Sequence, residues 1–193
     1  MLKVGITGGI GSGKSVVSKI LETFSYPVFY SDQAAKEIIN NNADVKRELI
    51  QLFGEEMFKN NELNRPFLAD IIFNNEEARS KVNAIIHPLV RKAFSEFAEL
   101  QVSTLVFNEA AIIFETNGHQ FLDKTILVTA PEGLRIARVI QRDRTTEEEV
   151  RLRMRQQWSD EEKIKLANYV LVNDEKAPLL EQIESLINQL SSS

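Results

Sequence analysis

Eight residues near the start of the chain, Gly8-Gly9-Ile10-Gly11-Ser12-Gly13-Lys14-Ser15, have the types and spacing to grip a polyphosphate. They meet the pattern G-x-x-x-x-G-K-[ST] at each of its fixed positions. Glycines let the backbone turn so that successive N–H groups point inward and form an anion-binding nest. A helix starting at the same place adds the positive end of its dipole. Gly9, Ile10, Gly11, Ser12 and Gly13 are thus candidate phosphate contacts through their backbone. Lys14 can reach the β- and γ-phosphates, and the Ser15 hydroxyl can ligate Mg²⁺. A flexible glycine loop ending a strand is the plain alternative, but the apolar run before the loop and the helical pattern after it favour nucleotide binding.

Two acids come next. Asp32 falls just past the second short apolar run, where open parallel sheets place their ligand crevice. There it reads equally as the acceptor of a proton from an attacking hydroxyl and as a helix N-cap before Gln33 to Ile39. Glu109 follows the run from Ser103 to Phe107. It reads either as a Mg²⁺-site residue, usually through water, or as an ordinary acid opening a loop.

Between Arg135 and Arg155 there are seven arginines and no lysine. Arg135, Arg138 and Arg142 share one helix face, and the guanidinium fork suits phosphate. A mobile segment carrying them could close over ATP, with Arg138 and Arg142 expected to matter most. The other reading is a solvated helix paired with Glu147 to Glu149, in which Arg151, Arg153 and Arg155 are surface residues. His87 precedes Pro88 in an apolar helical stretch and reads as a helix-break or structural residue. His119 lies in a turn, and Trp158 packs on the lid. Asn173 ends the last strand, close to the glycine loop in a parallel sheet, where it could touch the adenine.

The elements that must position these groups are readable from apolar spacing. Strands are expected over 2–7, 27–30, 103–107, 125–129 and 169–172. Helices are expected from Lys14 to about Phe24, from Asp32 to Ile39, from Pro131 to about Arg142 and from Leu179 to Leu190. Residues from about 40 to 100 look helical throughout, without strand signals, and are punctuated at Asn40 to Asn42, Asn60-Asn61 and Asn74-Asn75. Strands alternating with helices imply an α/β fold, a parallel sheet covered on both faces.

Composition sets the outer bounds. The 193 residues are 43% hydrophobic and 26% charged, ordinary for a globular domain. A net charge of -5 argues against broad nucleic-acid affinity. With no cysteine and two histidines, disulfides, thiolate sites and multi-imidazole zinc sites drop out. No stretch approaches the ~20 apolar residues of a membrane span, and the first residues lack a signal-peptide pattern. A cytoplasmic chain without a membrane partner, a monomer or small homo-oligomer, is expected.

These motifs together resemble the dephospho-coenzyme A kinase family over nearly the whole chain. Thr7 to Ser15 is very close to that family's phosphate loop. Tyr30-Ser31-Asp32 stands for its Asp-Ala-Asp, keeping the second acid as Asp32. Leu63-Asn64-Arg65 is similar to its Leu-Asp-Arg, and Ile86-His87-Pro88-Leu89 to its His-Pro motif. Glu109-Ala110-Ala111-Ile112-Ile113-Phe114-Glu115 stands for Asp-Val-Pro-Leu-Leu-Phe-Glu, departing at Glu109 and Ala111. Gln141-Arg142-Asp143, Gln157 and Ala167-Asn168-Tyr169-Val170 are similar to its lid and final strand, which ends on Asn173.

The resemblance implies a three-layer P-loop NTPase fold with a five-stranded parallel sheet. It implies one kinase domain with a core of 1–30, 101–142 and 167–193, a helical acceptor-binding insertion over about 31–100 and a lid over about 143–166. It further implies transfer of the ATP γ-phosphoryl group to the ribose 3′-hydroxyl of dephospho-coenzyme A. Asp32 becomes the base candidate, acting with Lys14 and Arg142, and Arg65, His87 and Glu109 become acceptor-site candidates. A related kinase for a nucleoside, nucleotide or sugar is the nearest rival. A GTP-dependent switch would need Asn-Lys-x-Asp, and Val172-Asn173-Asp174-Glu175 lacks the lysine.

Overall fold

The apolar run at the start of the chain becomes the middle of a sheet. In the computed structural model, which describes residues 1–192, the chain opens with β1 (Leu2–Thr7), α1 (Lys14–Thr23) and β2 (Val28–Tyr30). Helices α2 (Ser31–Asn41) and α3 (Ala43–Phe53) follow, then short strands β3 (Phe58–Lys59) and β4 (Glu62–Leu63), then α4 (Arg65–Asn74) and α5 (Glu76–Glu99). Strands return as β5 (Leu105–Glu109) and β6 (Lys124–Thr129). They lead to α6 (Glu132–Asp143), α7 (Glu147–Met154), α8 (Asp160–Ile164), β7 (Tyr169–Val172) and α9 (Leu179–Ser191).

The five longer strands form one parallel sheet in the order β2-β5-β1-β6-β7. Parallel pairing needs a crossover between neighbours, and burial on both faces explains why these strands read as continuous apolar runs. Val4, Ile6, Phe107, Ile126 and Val128 are buried with Val17 and Leu21 of α1 and Ile183, Leu186 and Leu190 of α9. Register aligns the carboxyl ends: Tyr30 pairs with Glu109, and Glu109 with Ile6. The glycine loop leaves that edge directly after Thr7.

The chain divides into two compact units, Met1–Tyr30 with the chain from Leu100 onward, and Ser31–Glu99. In the second unit α5 packs against α2, α3 and α4. Its buried residues Ala78, Val82, Ile86, Val90, Phe94 and Ala98 recur every fourth position. That spacing makes one apolar stripe along the helix.

Two expectations for this unit need correction. Asn60-Asn61 does not punctuate a helix. Both residues are left-handed (φ 50° and 67°), the backbone of a tight hairpin turn, and they join β3 to β4 in an antiparallel pair. Asparagine tolerates that region better than other side chains, so two in a row carried the signal. Nor does Pro88 break the helix: α5 runs through it for 24 residues. The long buried stripe offsets the lost N–H and the ring's crowding. The other asparagine-rich breaks are helix starts. Asn42 Oδ1 accepts from the N–H groups of Asp44 and Val45, and Asn75 Oδ1 from Ala78.

Candidate active site

The phosphate loop is shaped by what holds its carbonyls. Taken in order, Gly8 O accepts from Lys14 Nζ at 2.9 Å, Gly9 O from Ser12 N at 3.1 Å and Ile10 O from Arg135 Nε at 3.0 Å. Gly11 O accepts from Arg138 Nη1 at 3.5 Å, Ser12 O from Asn173 Nδ2 at 2.9 Å, and Gly13 O from Val16 N at 3.0 Å. Six successive carbonyls are thereby satisfied within the protein. A peptide whose carbonyl is turned one way presents its N–H the other way. The amides of Gly11, Gly13 and Ser15 have no protein acceptor among the described residues. They remain at the start of α1 to receive an anion.

Two glycines are required by this arrangement. Gly11 has φ +79°, and a Cβ there would lie 2.4 Å from Arg135 O. Gly13 has φ +96°, and its Cβ would lie 2.0 Å from Asn173 Nδ2. Neither the left-handed backbone nor the close approach admits a side chain.

The arginine face of α6 is divided by the structure. Arg135 is buried and its guanidinium pairs with Asp160 at 3.2 Å besides bonding the loop. Arg138 bridges Gly11 O, Asn173 O at 3.1 Å and Glu175 at 3.0 Å. Arg142 lies elsewhere, at the end of α6, where both its hydrogen bonds go to the Asp143 carboxylate. That contact raises the Arg142 pKa and holds Asp143 below its ordinary value. Arg151 pairs with Glu132 and Glu147, and Arg153 with Asp143.

Residues around 157–163 are tied to the segment after β5. Gln157 Oε1 accepts from Ile10 N at 2.8 Å and Gln157 Nε2 donates to Ala111 O at 3.4 Å. Trp158 N donates to Glu115 Oε1 at 3.1 Å, and the fully buried Lys163 ammonium lies 2.8 Å from the same carboxylate. Sequence reasoning matched Gln157 to the family's lid motif and Glu115 to the motif after β5 without assigning either a contact, and it did not single out Lys163. Arg135 was on the expected face but ranked behind Arg142.

Among the acids, Glu109 closes β5 at the carboxyl edge of the sheet, in register with Ile6 and Tyr30. Asp32 lies in the first turn of α2, exposed, and its carboxylate makes no capping hydrogen bond among the described residues. Tyr30, at the end of β2, donates its hydroxyl to Glu22 Oε1 at 2.9 Å. Burial, then that contact, raises the Tyr30 pKa.

Within the second unit, α2 and the β3–β4 turn border an open cleft of about 550 Å³. Lys36, Glu37, Asn40, Asn61 and Arg65 are among the residues that line it, whereas Asp32 and His87 are not. Leu63 N donates to Asn40 Oδ1, and Lys46 Nζ to Asn61, fixing the hairpin to α2 and α3. His87 is half-buried in α5, and burial, then the neighbouring Arg91 charge, lowers its pKa.

Known proteins are similar to this chain in sequence and fold. The model of the dephospho-CoA kinase family matches residues 2–178. A dephospho-CoA kinase of Bacteroides fragilis is 40% identical over 187 residues, covering 96% of this chain and 91% of its own. A crystal structure from Thermus thermophilus superposes with a TM-score of 0.85 at 36% identity, covering 99% of this chain and 96% of that one. Dephospho-CoA kinase from Campylobacter jejuni gives a TM-score of 0.70 at 26% identity, covering 98% and 97%.

Proposed function

The chain belongs to the dephospho-CoA kinase family, and from that premise we propose that it transfers the ATP γ-phosphoryl group to the ribose 3′-hydroxyl of dephospho-coenzyme A, giving coenzyme A and ADP. The observation that carries the chemistry is the glycine loop, with its carbonyls bonded to protein donors and its amides left at the start of α1. Such a nest holds the phosphate chain of ATP.

The residues then take the following roles. Lys14 exchanges the Gly8 carbonyl for the β- and γ-phosphates, and Arg138 and Arg142 neutralise charge on the phosphoryl group in flight. Asn173 holds the loop and borders the base. Asp32, two residues beyond the end of β2, accepts the proton of the attacking hydroxyl. The new oxygen–phosphorus bond forms as the bond to the β–γ bridging oxygen breaks, and ADP leaves with those electrons. Residues 31–99 receive the acceptor, with Arg65 and His87 among its contacts, and residues 143–166 form the lid.

Ser15, in the first turn of α1, and Glu109, at the end of β5, offer hard oxygen donors. No group of three or more His, Cys, Asp or Glu side chains converges among the described residues. That donor set fits an ion that keeps most of its ligands as water and phosphate, as Mg²⁺ does. Ser15 and Glu109 would hold Mg²⁺, which neutralises phosphate charge when bound. Among the described residues no helix is long and apolar enough to cross a membrane. We place the enzyme in the cytoplasm as a monomer or small homo-oligomer.

The test is ATP-dependent formation of coenzyme A from dephospho-coenzyme A by the purified protein, with Lys14→Ala as the inactive control. ATP consumption that produces no coenzyme A would reject the acceptor.

A further inference from the structure

Gln157 occupies a position that the reaction chemistry leaves unassigned. Its carboxamide is the one side chain of the 155–163 segment that bonds to the phosphate loop directly, taking the Ile10 N–H on its oxygen. Its nitrogen goes the other way, to the carbonyl of Ala111 beyond β5. Ala111 O also faces the buried Thr7 hydroxyl at 3.4 Å. One neutral amide thus satisfies an N–H and a C=O that face it from opposite sides.

Both polar groups of Ile10 are held from outside the loop, the N–H by Gln157 and the C=O by Arg135. Those two bonds fix the peptide planes on either side of Ile10, and with them the direction of the next amides, Gly11 onward. The frame around Gln157 is itself fixed. The adjoining Trp158 N–H is bonded to Glu115, Lys163 pairs with the same carboxylate, and Asp160 pairs with Arg135.

We infer that Gln157 is a positioning residue for nucleotide binding, which orients the phosphate nest by clamping the Ile10 peptide to the segment after β5. It acts through the loop and not on the phosphates. The role needs an acceptor and a donor on one side chain. Glutamate keeps the shape but, when ionised, offers no donor to Ala111 O and sets a carboxylate against a carbonyl. Protonated glutamic acid restores both functions.

This inference rests on the nucleotide-binding reading above but not on the acceptor. Titration of ADP with magnesium into wild type, Gln157→Glu and Gln157→Ala, at about pH 8 and about pH 5, bracketing the range in which a half-buried carboxyl bonded to a carbonyl titrates, decides it. Relative to wild type at the same pH, Gln157→Glu should bind ADP about tenfold more weakly at the higher pH and within about twofold at the lower. Gln157→Ala should be weakened by a similar factor at both.

The charged groups around the cavity beside Gln157 are the pairs Arg135–Asp160 and Arg151–Glu132, with Arg155 and Glu161. Further charged or titratable groups are Glu115 with Lys163, and His119, whose ring is tilted 48° to that of Phe114 at 5.5 Å. All are common to the three proteins, so the ratio at each pH isolates residue 157. Wild-type ADP affinity in Gln157→Glu at the higher pH, or a deficit that does not shrink on acidification, overturns the proposal. Coenzyme A formation by the wild type tests the acceptor separately. Its absence rejects that assignment, while the ADP comparison decides the role of Gln157 in either case.

Discussion

The side-chain amide of Asn173 donates to the Ser12 carbonyl at 2.9 Å, fastening the turn after β7 to the phosphate loop. Asn173→Ala leaves that carbonyl without its donor, and Asn173→Asp places a carboxylate against it. Leaving a partly buried group unsatisfied costs roughly 1–3 kcal/mol. Calorimetric titration should show ATP affinity reduced roughly tenfold by alanine and further by aspartate. Equal affinity in all three proteins would mean the loop holds its shape without this contact.

Asp32 lies exposed in the first turn of α2. As the proposed base of the reaction, it should tolerate Asp32→Asn with little change in ATP affinity while kcat falls by about 10²–10⁴. Steady-state rates at saturating ATP and dephospho-coenzyme A give the number. Retention of near-full kcat would remove Asp32 from the chemistry.

Lys163 is fully buried with its ammonium 2.8 Å from one oxygen of Glu115, whose second carboxylate oxygen is buried with no hydrogen-bond partner among the described residues. Removing one member of a buried pair strands the other charge, at a cost of about 3–5 kcal/mol. Lys163→Met should therefore lower stability by that order in chemical denaturation. Combining it with Glu115→Gln should cost less than the sum of the single changes. Additive losses would show that the two side chains do not act as a pair.

His87 is lowered from 6.5, first by burial and then by Arg91. A folded-state pKa below the unfolded one means that the unfolded chain takes up the proton first. The stability tied to neutral His87 is thus present above about pH 6.5 and lost as pH falls through the folded value. Denaturation midpoints of wild type should drop between about pH 7 and about pH 5 more steeply than those of His87→Gln. Parallel slopes would assign the acid sensitivity to other groups.

Much of the molecule is legible in its sequence. The bounds of β1 and β7 matched their apolar runs, because strands buried on both faces leave an unbroken pattern. The loop was legible because its chemistry is local, eight residues in a row. Three features were not legible, for different reasons. The β3–β4 hairpin has strands of two residues, too short for any alternation to show, so only the consecutive asparagines could have revealed it. The face shared by Arg135, Arg138 and Arg142 followed from helical spacing, but which of them meets the loop depends on where α6 starts relative to the end of β6. Gln157 and the Lys163–Glu115 pair bring together residues from distant stretches of chain, and no spacing rule reaches that far.

The glycine loop is made early in the chain and finished late. Its own residues are synthesised well before the side chains that hold it. The side chains that hold it lie 125, 127, 147 and 161 residues downstream, at Arg135, Arg138, Gln157 and Asn173. Synthesis proceeds from the amino terminus, so a nascent chain carries the glycines long before it carries their clamps. Fragments that stop short of β7 should have the full motif and still fail to bind ATP. Nucleotide capture is then a report on completed folding: a ribosome has to carry synthesis past Asn173 before residues 8–15 can do their work.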